Sequence, residues 1–143
     1  MFITAQLALV DTQQNLITVA IAGQGPVLLA SQGTGSERVL PEGLPLGVLE
    51  KGIFQTQTRS LGNNGRVLLY TDGLTEAKNV NGEYFGLERL QKWFSQTANR
   101  PATAAQLKSE LLDELRTFGV ETPLRDDQTF LILAQEEVPK EAL

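Results

Sequence analysis

Strand-patterned segments fill the first half of the chain, two helical stretches follow, and one more strand-patterned segment closes it. That order predicts an α+β fold built on a mostly antiparallel β-sandwich with flanking helices. Over residues 2–10, Ile3, Ala5, Leu7 and Leu9 alternate with Thr4, Gln6 and Ala8, so those four form the expected buried face of a strand. A polar connection at 11–15 leads into residues 16–21, rich in β-branched side chains, and the pair is expected to form an antiparallel hairpin. Gly23, Gly25 and Pro26 then break the pattern before a short strand at 27–30, a loose loop around Gly33, Gly35 and Ser36, and a turn-rich segment Gly43-Leu44-Pro45-Leu46-Gly47. Residues 53–59 alternate again, Asn63-Asn64-Gly65 is a turn, and the apolar strand Arg66-Val67-Leu68-Leu69-Tyr70-Thr71 runs straight into Asp72-Gly73.

Past Gly86 the period changes. Leu87, Leu90, Trp93 and Phe94 recur at three and four residues and share one face of a helix. A second helix starts at Thr103-Ala104-Ala105-Gln106, which has capping-box spacing, buries Ala104, Leu107, Leu111, Leu115 and Phe118, and stops at Gly119. The last strand is expected at 129–134. This divides the chain into one domain over 1–135 and a frayed, charged tail over 136–143.

Composition narrows the chemistry. The sequence has neither Cys nor His, which removes thiolate nucleophiles, imidazole bases, disulfides and soft metal ligands together. Catalysis would have to use carboxylates, hydroxyls, amines or an oxygen-bound metal. Twelve Lys and Arg against seventeen Asp and Glu leave a net charge of −5, with no basic cluster, so nucleic acid is not an expected partner. No apolar run reaches membrane-spanning length, and the opening segment has no basic residue before Arg38 and a broken apolar stretch. The expected location is the cytoplasm.

Two acidic positions stand where strands meet turns: Asp72 after 67–71, and Asp126-Asp127 before 128–133. Acids at the ends of rigid strands can be aimed at one point, and Mg²⁺ or Mn²⁺ need several such oxygens. A plainer account also fits the spacing, with Asp72-Gly73 a turn whose glycine takes a positive φ and Asp126-Asp127 a solvated strand entrance. Glu76, four residues past Asp72, is expected to be a solvated turn residue, and Gly23-Gln24-Gly25 and Gly33-Thr34-Gly35 ordinary loops.

The segment Leu68-Leu69-Tyr70-Thr71-Asp72-Gly73-Leu74-Thr75-Glu76-Ala77 resembles the signature of the sporulation and stress-response (SpoIIE/RsbU-like) branch of PPM-type metal-dependent protein phosphatases. Met1-Phe2-Ile3-Thr4, Ala22-Gly23, Pro45-Leu46-Gly47, Gly82-Glu83-Tyr84-Phe85-Gly86 and Asp126-Asp127-Gln128-Thr129 resemble other blocks of that family, in the expected order. The resemblance implies two antiparallel sheets between helical layers, and hydrolysis of phosphoserine or phosphothreonine with two Mn²⁺ or Mg²⁺ ions. It implies that Asp72 and Asp126 are metal ligands, supported by Asp127 and Gly73. The family's first half, with a Gly-Asp block and an Asp-Val-Ser-Gly-type block whose acids bridge the metals, has no counterpart here, and Gln24 stands where relatives usually carry His. The chain therefore resembles the C-terminal part of such a domain, with half of the metal site absent and weak or no activity alone.

The implied partner is a phosphorylated anti-anti-sigma-like protein. A different class of function also fits: a non-catalytic module derived from the same fold that binds a partner or forms a homo-oligomer through exposed strand edges. A plain structural domain with incidental strand-end acids is the third reading.

Overall fold

The computed structural model describes residues 1–119 and 126–136. The tail expected beyond Glu136 lies outside the described residues. The elements run β1 (Ala5–Asp11), β2 (Leu16–Ala22), β3 (Val27–Ser31), β4 (Gly35–Val39), β5 (Thr56–Ser60), β6 (Arg66–Tyr70), α1 (Asp72–Thr75), α2 (Leu87–Thr97), α3 (Ala104–Phe118) and β7 (Phe130–Ala134). Two antiparallel sheets result, β1-β2-β5 and β4-β3-β6-β7, so the expected α+β sandwich is the observed fold.

The pleat explains why the central strands carry apolar residues on both faces, with Arg66 and Ser31 at their ends. Val27, Leu29 and Val67 point between the sheets and meet Ile17, Val19, Ile21 and Val39 there. Leu28, Ala30, Leu68 and Tyr70 point the other way, against Leu90, Phe94, Leu111 and Leu115 of the helices. A strand buried on both faces cannot alternate polar with apolar residues. Helix α2 lies on β3 and β4, and α3 on β7, so both cover the same sheet. The start of α3 is local chemistry: the Thr103 hydroxyl accepts from the Gln106 N–H at 3.2 Å, and the Thr103 N–H donates to Gln106 Oε1 at 2.9 Å.

Four expectations need correction. In β1 the buried face is the opposite one: Ala8 and Val10 pack between the sheets, while Leu7 and Leu9 are 68% and 69% exposed. Both faces of that strand carry apolar residues, and pairing with β2 (Leu7 opposite Ala20, Leu9 opposite Thr18) turns Leu7 and Leu9 outward. The loop around Gly33, Gly35 and Ser36 is the turn and opening of β4, an edge strand with Glu37 and Arg38 exposed and Val39 buried. Charge on an edge hides the strand pattern while discouraging further pairing. Strand β5 begins only at Thr56, and the Asn63-Asn64-Gly65 turn carries the chain from one sheet to the other, with Asn64 at φ 52°. Finally, Asp72 opens a single helical turn, and Gly73 does not take a positive φ.

One buried charge belongs to the scaffold. Arg66 is fully buried at the start of β6, and its Nη2 donates to the Arg100 carbonyl at 2.7 Å and to Asn64 Oδ1 at 3.3 Å. Asn64 Nδ2 in turn donates to the Ala98 carbonyl at 2.7 Å, so the two side chains hold the end of α2 against the sheet. Desolvation lowers the Arg66 pKa, Arg100 adds to the lowering, and Glu110 opposes it.

Candidate functional site

Strands β6 and β7 are antiparallel neighbours with Tyr70 opposite Phe130, which brings the end of one and the start of the other to the same rim. Past the ladder the threonines continue the join. The Thr71 N–H donates to the Thr129 carbonyl at 3.0 Å, and the Thr129 N–H donates to the Thr71 hydroxyl at 3.2 Å. That hydroxyl has carbonyls of Thr129 and Asp127 at 3.4 and 3.5 Å for its own proton.

Asp72 follows directly as the first residue of α1, exposed, with its carbonyl accepting from the Glu76 N–H at 2.8 Å and the Thr75 hydroxyl at 3.2 Å. Gly73 is buried against the other strand: a Cβ there would lie 2.1 Å from the Asp127 carbonyl oxygen. The glycine is needed for close approach of two backbones rather than for a left-handed turn. Asp126 and Asp127 are both exposed, and Asp126 Oδ1 accepts from the Asp127 N–H at 2.8 Å, which leaves its second oxygen available. The two acidic segments thus meet on one rim. Among the described residues no three acids gather into a group that could hold a metal ion. Glu76 is exposed, as expected.

Distant sequence blocks collect around this rim. Ile3 and Leu46 exchange two backbone hydrogen bonds at 2.9 and 2.8 Å, and the Pro45 ring packs on Gly23, where a Cβ would be 2.3 Å from Pro45 Cγ. On the other side the Phe85 N–H donates to the Ala77 carbonyl at 2.7 Å and the Gly86 N–H to the Thr75 carbonyl at 2.9 Å, with Phe85 and Leu74 buried in the same core. Between β1 and the ends of β6 and β7 lies a cavity of about 260 Å³, lined by Thr4, Gln6, Gln24, Tyr70, Thr71 and Thr129 among others. Sequence reasoning missed Gln6, Thr71 and Thr129. The signal available for Gln6 was a long polar side chain in an otherwise apolar strand.

Burial pushes the Tyr70 hydroxyl up to about 12, with Arg38 opposing and the Asp72 charge reinforcing. A folded-state pKa above the unfolded value of about 10 stabilises the fold below pH 10, and that contribution is lost as pH rises through the folded value. Urea unfolding between pH 9 and 11.5 is therefore expected to show stability falling by up to roughly 1 kcal/mol per pH unit above pH 10 because of this residue. Tyr70→Phe should remove that part of the slope; an unchanged slope would assign the loss to other groups.

A sandwich of two antiparallel sheets with few helices is the fold of PP2C-type, or PPM, protein phosphatases, and solved structures of that class match it. The PP2C domain of SiaA from Pseudomonas aeruginosa superposes with a TM-score of 0.74 at 22% identity, covering 93% of this chain and 52% of that one. The Mn-presoaked phosphatase domain of the cell fate determinant SpoIIE from Bacillus subtilis gives 0.65 at 16% identity, covering 96% and 59%. Protein IcfG of Synechocystis is 27% identical over 116 residues, which is 81% of this chain and 17% of that protein. Residues 1–136 match the family described as Stage II sporulation protein E (SpoIIE). This chain belongs to that family, and it spans little more than half of the solved phosphatase domains and about a sixth of IcfG.

Proposed function

We propose that this chain is the C-terminal part of a metal-dependent serine/threonine phosphatase domain and supplies Asp72 and Asp126 to a site for two Mn²⁺ or Mg²⁺ ions, with Asp127 and Gly73 supporting them. The observation that carries this reading is the close approach of Gly73 to the Asp127 carbonyl, which sets two strand-end acidic segments side by side on one rim. The donor set is all oxygen, which suits hard cations. Two carboxylates fall short of the six or so oxygens such ions take, so the residues here fit one side of the site and not the whole of it. Bound ions in a complete site polarise the phosphoryl group and supply an activated water. The part of this chain is to hold two carboxylates on a rigid rim through the Thr71–Thr129 bonds.

The substrate proposed is a phosphoserine or phosphothreonine of a regulatory phosphoprotein of the anti-anti-sigma type, in the cytoplasm. Alone, the chain is expected to turn over such a substrate weakly or not at all. A second reading has its own observation. Leu7, Leu9 and, on the β7 edge, Leu131 and Leu133 are exposed, as they would be in a non-catalytic module that binds a partner or a second copy there.

The test is Mn²⁺-dependent phosphate release from a phosphoserine peptide, by the chain alone and with the upstream half of a SpoIIE-family phosphatase domain joined to it. Activity is expected only in the joined form, with Asp72→Asn lowering it at least a hundredfold. A joined domain that is folded, binds metal and is inactive would favour the binding module. Activity indifferent to Asp72→Asn would remove that residue from the site.

A further inference from the structure

We infer that Gln6 is a positioning residue that fixes the Asp72 turn from the opposite sheet; its link to metal binding rests on the function proposed above. Gln6 lies on β1, in the three-stranded sheet, yet its side chain reaches the four-stranded one. Its Oε1 accepts from the Tyr70 N–H at 3.1 Å, and its Nε2 donates to the Gly25 carbonyl at 2.8 Å. The need for this bridge follows from the ladder. On the β3 side, pairing with β6 ends at Leu28 opposite Leu68, and β3 itself begins only after Pro26. The Thr71 N–H points to β7, so the Tyr70 N–H points the other way, to where no strand partner remains among the described residues. Gln6 supplies the acceptor two residues before Asp72.

A neighbouring glutamine reinforces it. Gln24 Nε2 donates to the Thr4 hydroxyl at 3.0 Å, so the loop carrying Gly25 is tied a second time, to the residue just before β1. A primary amide suits this place because it accepts and donates at once. A leucine of similar size fills the space and leaves both backbone groups unpaired.

The test uses the whole chain and three variants: Gln6→Leu, Gln6→Glu, and Val10→Ala as a control that loosens the same strand without touching Tyr70. In Gln6→Leu, amide exchange at Tyr70 is expected to quicken about tenfold, and the backbone resonances of residues 71–76 to shift. Val10→Ala should leave that local pattern in place, and Gln6→Glu, which keeps the acceptor, should retain protection at Tyr70. Unchanged exchange and shifts in Gln6→Leu, or equal changes in Val10→Ala, would overturn the assignment.

Mn²⁺ titration of the joined domain described above, as wild type, Gln6→Leu and Asp72→Asn, separates this idea from the function it rests on. Weaker binding by both variants, several-fold for Gln6→Leu, supports both. Loss in Asp72→Asn with wild-type binding in Gln6→Leu overturns the link between Gln6 and the metal. Wild-type binding in Asp72→Asn overturns the metal site, and the exchange measurement still decides what Gln6 positions.

Discussion

Gly73→Ala is expected to destabilise the protein by about 3 kcal/mol and to move the start of β7, because overpacking against rigid groups is among the costlier single changes. The added methyl would lie 2.1 Å from the Asp127 carbonyl oxygen and 2.9 Å from its carbon, and both are backbone atoms. Gly73 does not sit at positive φ, so alanine would also gain about 0.4–1 kcal/mol by restricting the unfolded chain. The clash is larger than that gain. Gly33 offers the contrast, with a φ of 78° and nothing within 4 Å of where a methyl would stand, so Gly33→Ala should cost only about 1 kcal/mol. Urea unfolding of both variants, with amide shifts at 126–129, checks the pair. Wild-type stability in Gly73→Ala, with the shifts unmoved, would refute the close approach and the rim built on it.

Phe94→Ala should cost about 3–5 kcal/mol, a large part of the roughly 5–15 kcal/mol that holds a domain of this size. The ring is fully buried on α2 in the core that joins both helices to the four-stranded sheet. Leu68, Leu90 and Leu111 of the same cluster are themselves fully buried, so moving one of them into the space would open a cavity where it came from. Leu131→Ala on β7 should cost less than about 1 kcal/mol, because that side chain is 56% exposed. Chemical denaturation followed by far-UV circular dichroism would show the difference. Similar losses at the two positions would mean that the helices do not share a single core with this sheet.

Much of the fold was legible because its signals are local. Thr103 and Gln106 are three residues apart and define a helix start whatever surrounds them. The stripes of α2 and α3, the β1–β2 hairpin and the apolar run of β6 also lie within short windows of sequence. The misses have a common origin. Alternation in β1 marks two faces but does not say which one is covered, since Leu7 and Leu9 compete with Ala8 and Val10. Strand β4 escaped notice because an edge strand has little to bury.

The candidate site divides in the same way. Asp72, Gly73, Asp126 and Asp127 stood out through their resemblance to a family signature, and their strand-end positions followed from the local pattern. That the two acidic segments meet was decided by the β6–β7 pairing, in which Tyr70 faces Phe130 across sixty residues. The roles of Thr71, Thr129 and Gln6 were decided there as well, through hydrogen bonds between residues 58 and 64 positions apart. Local propensity and hydrophobic period determine which segments become helices and strands, because those energies depend on near neighbours. Which face is buried, and which polar side chain meets an unpaired backbone group, depends on contacts between segments far apart in the chain, so only the tertiary structure could settle them.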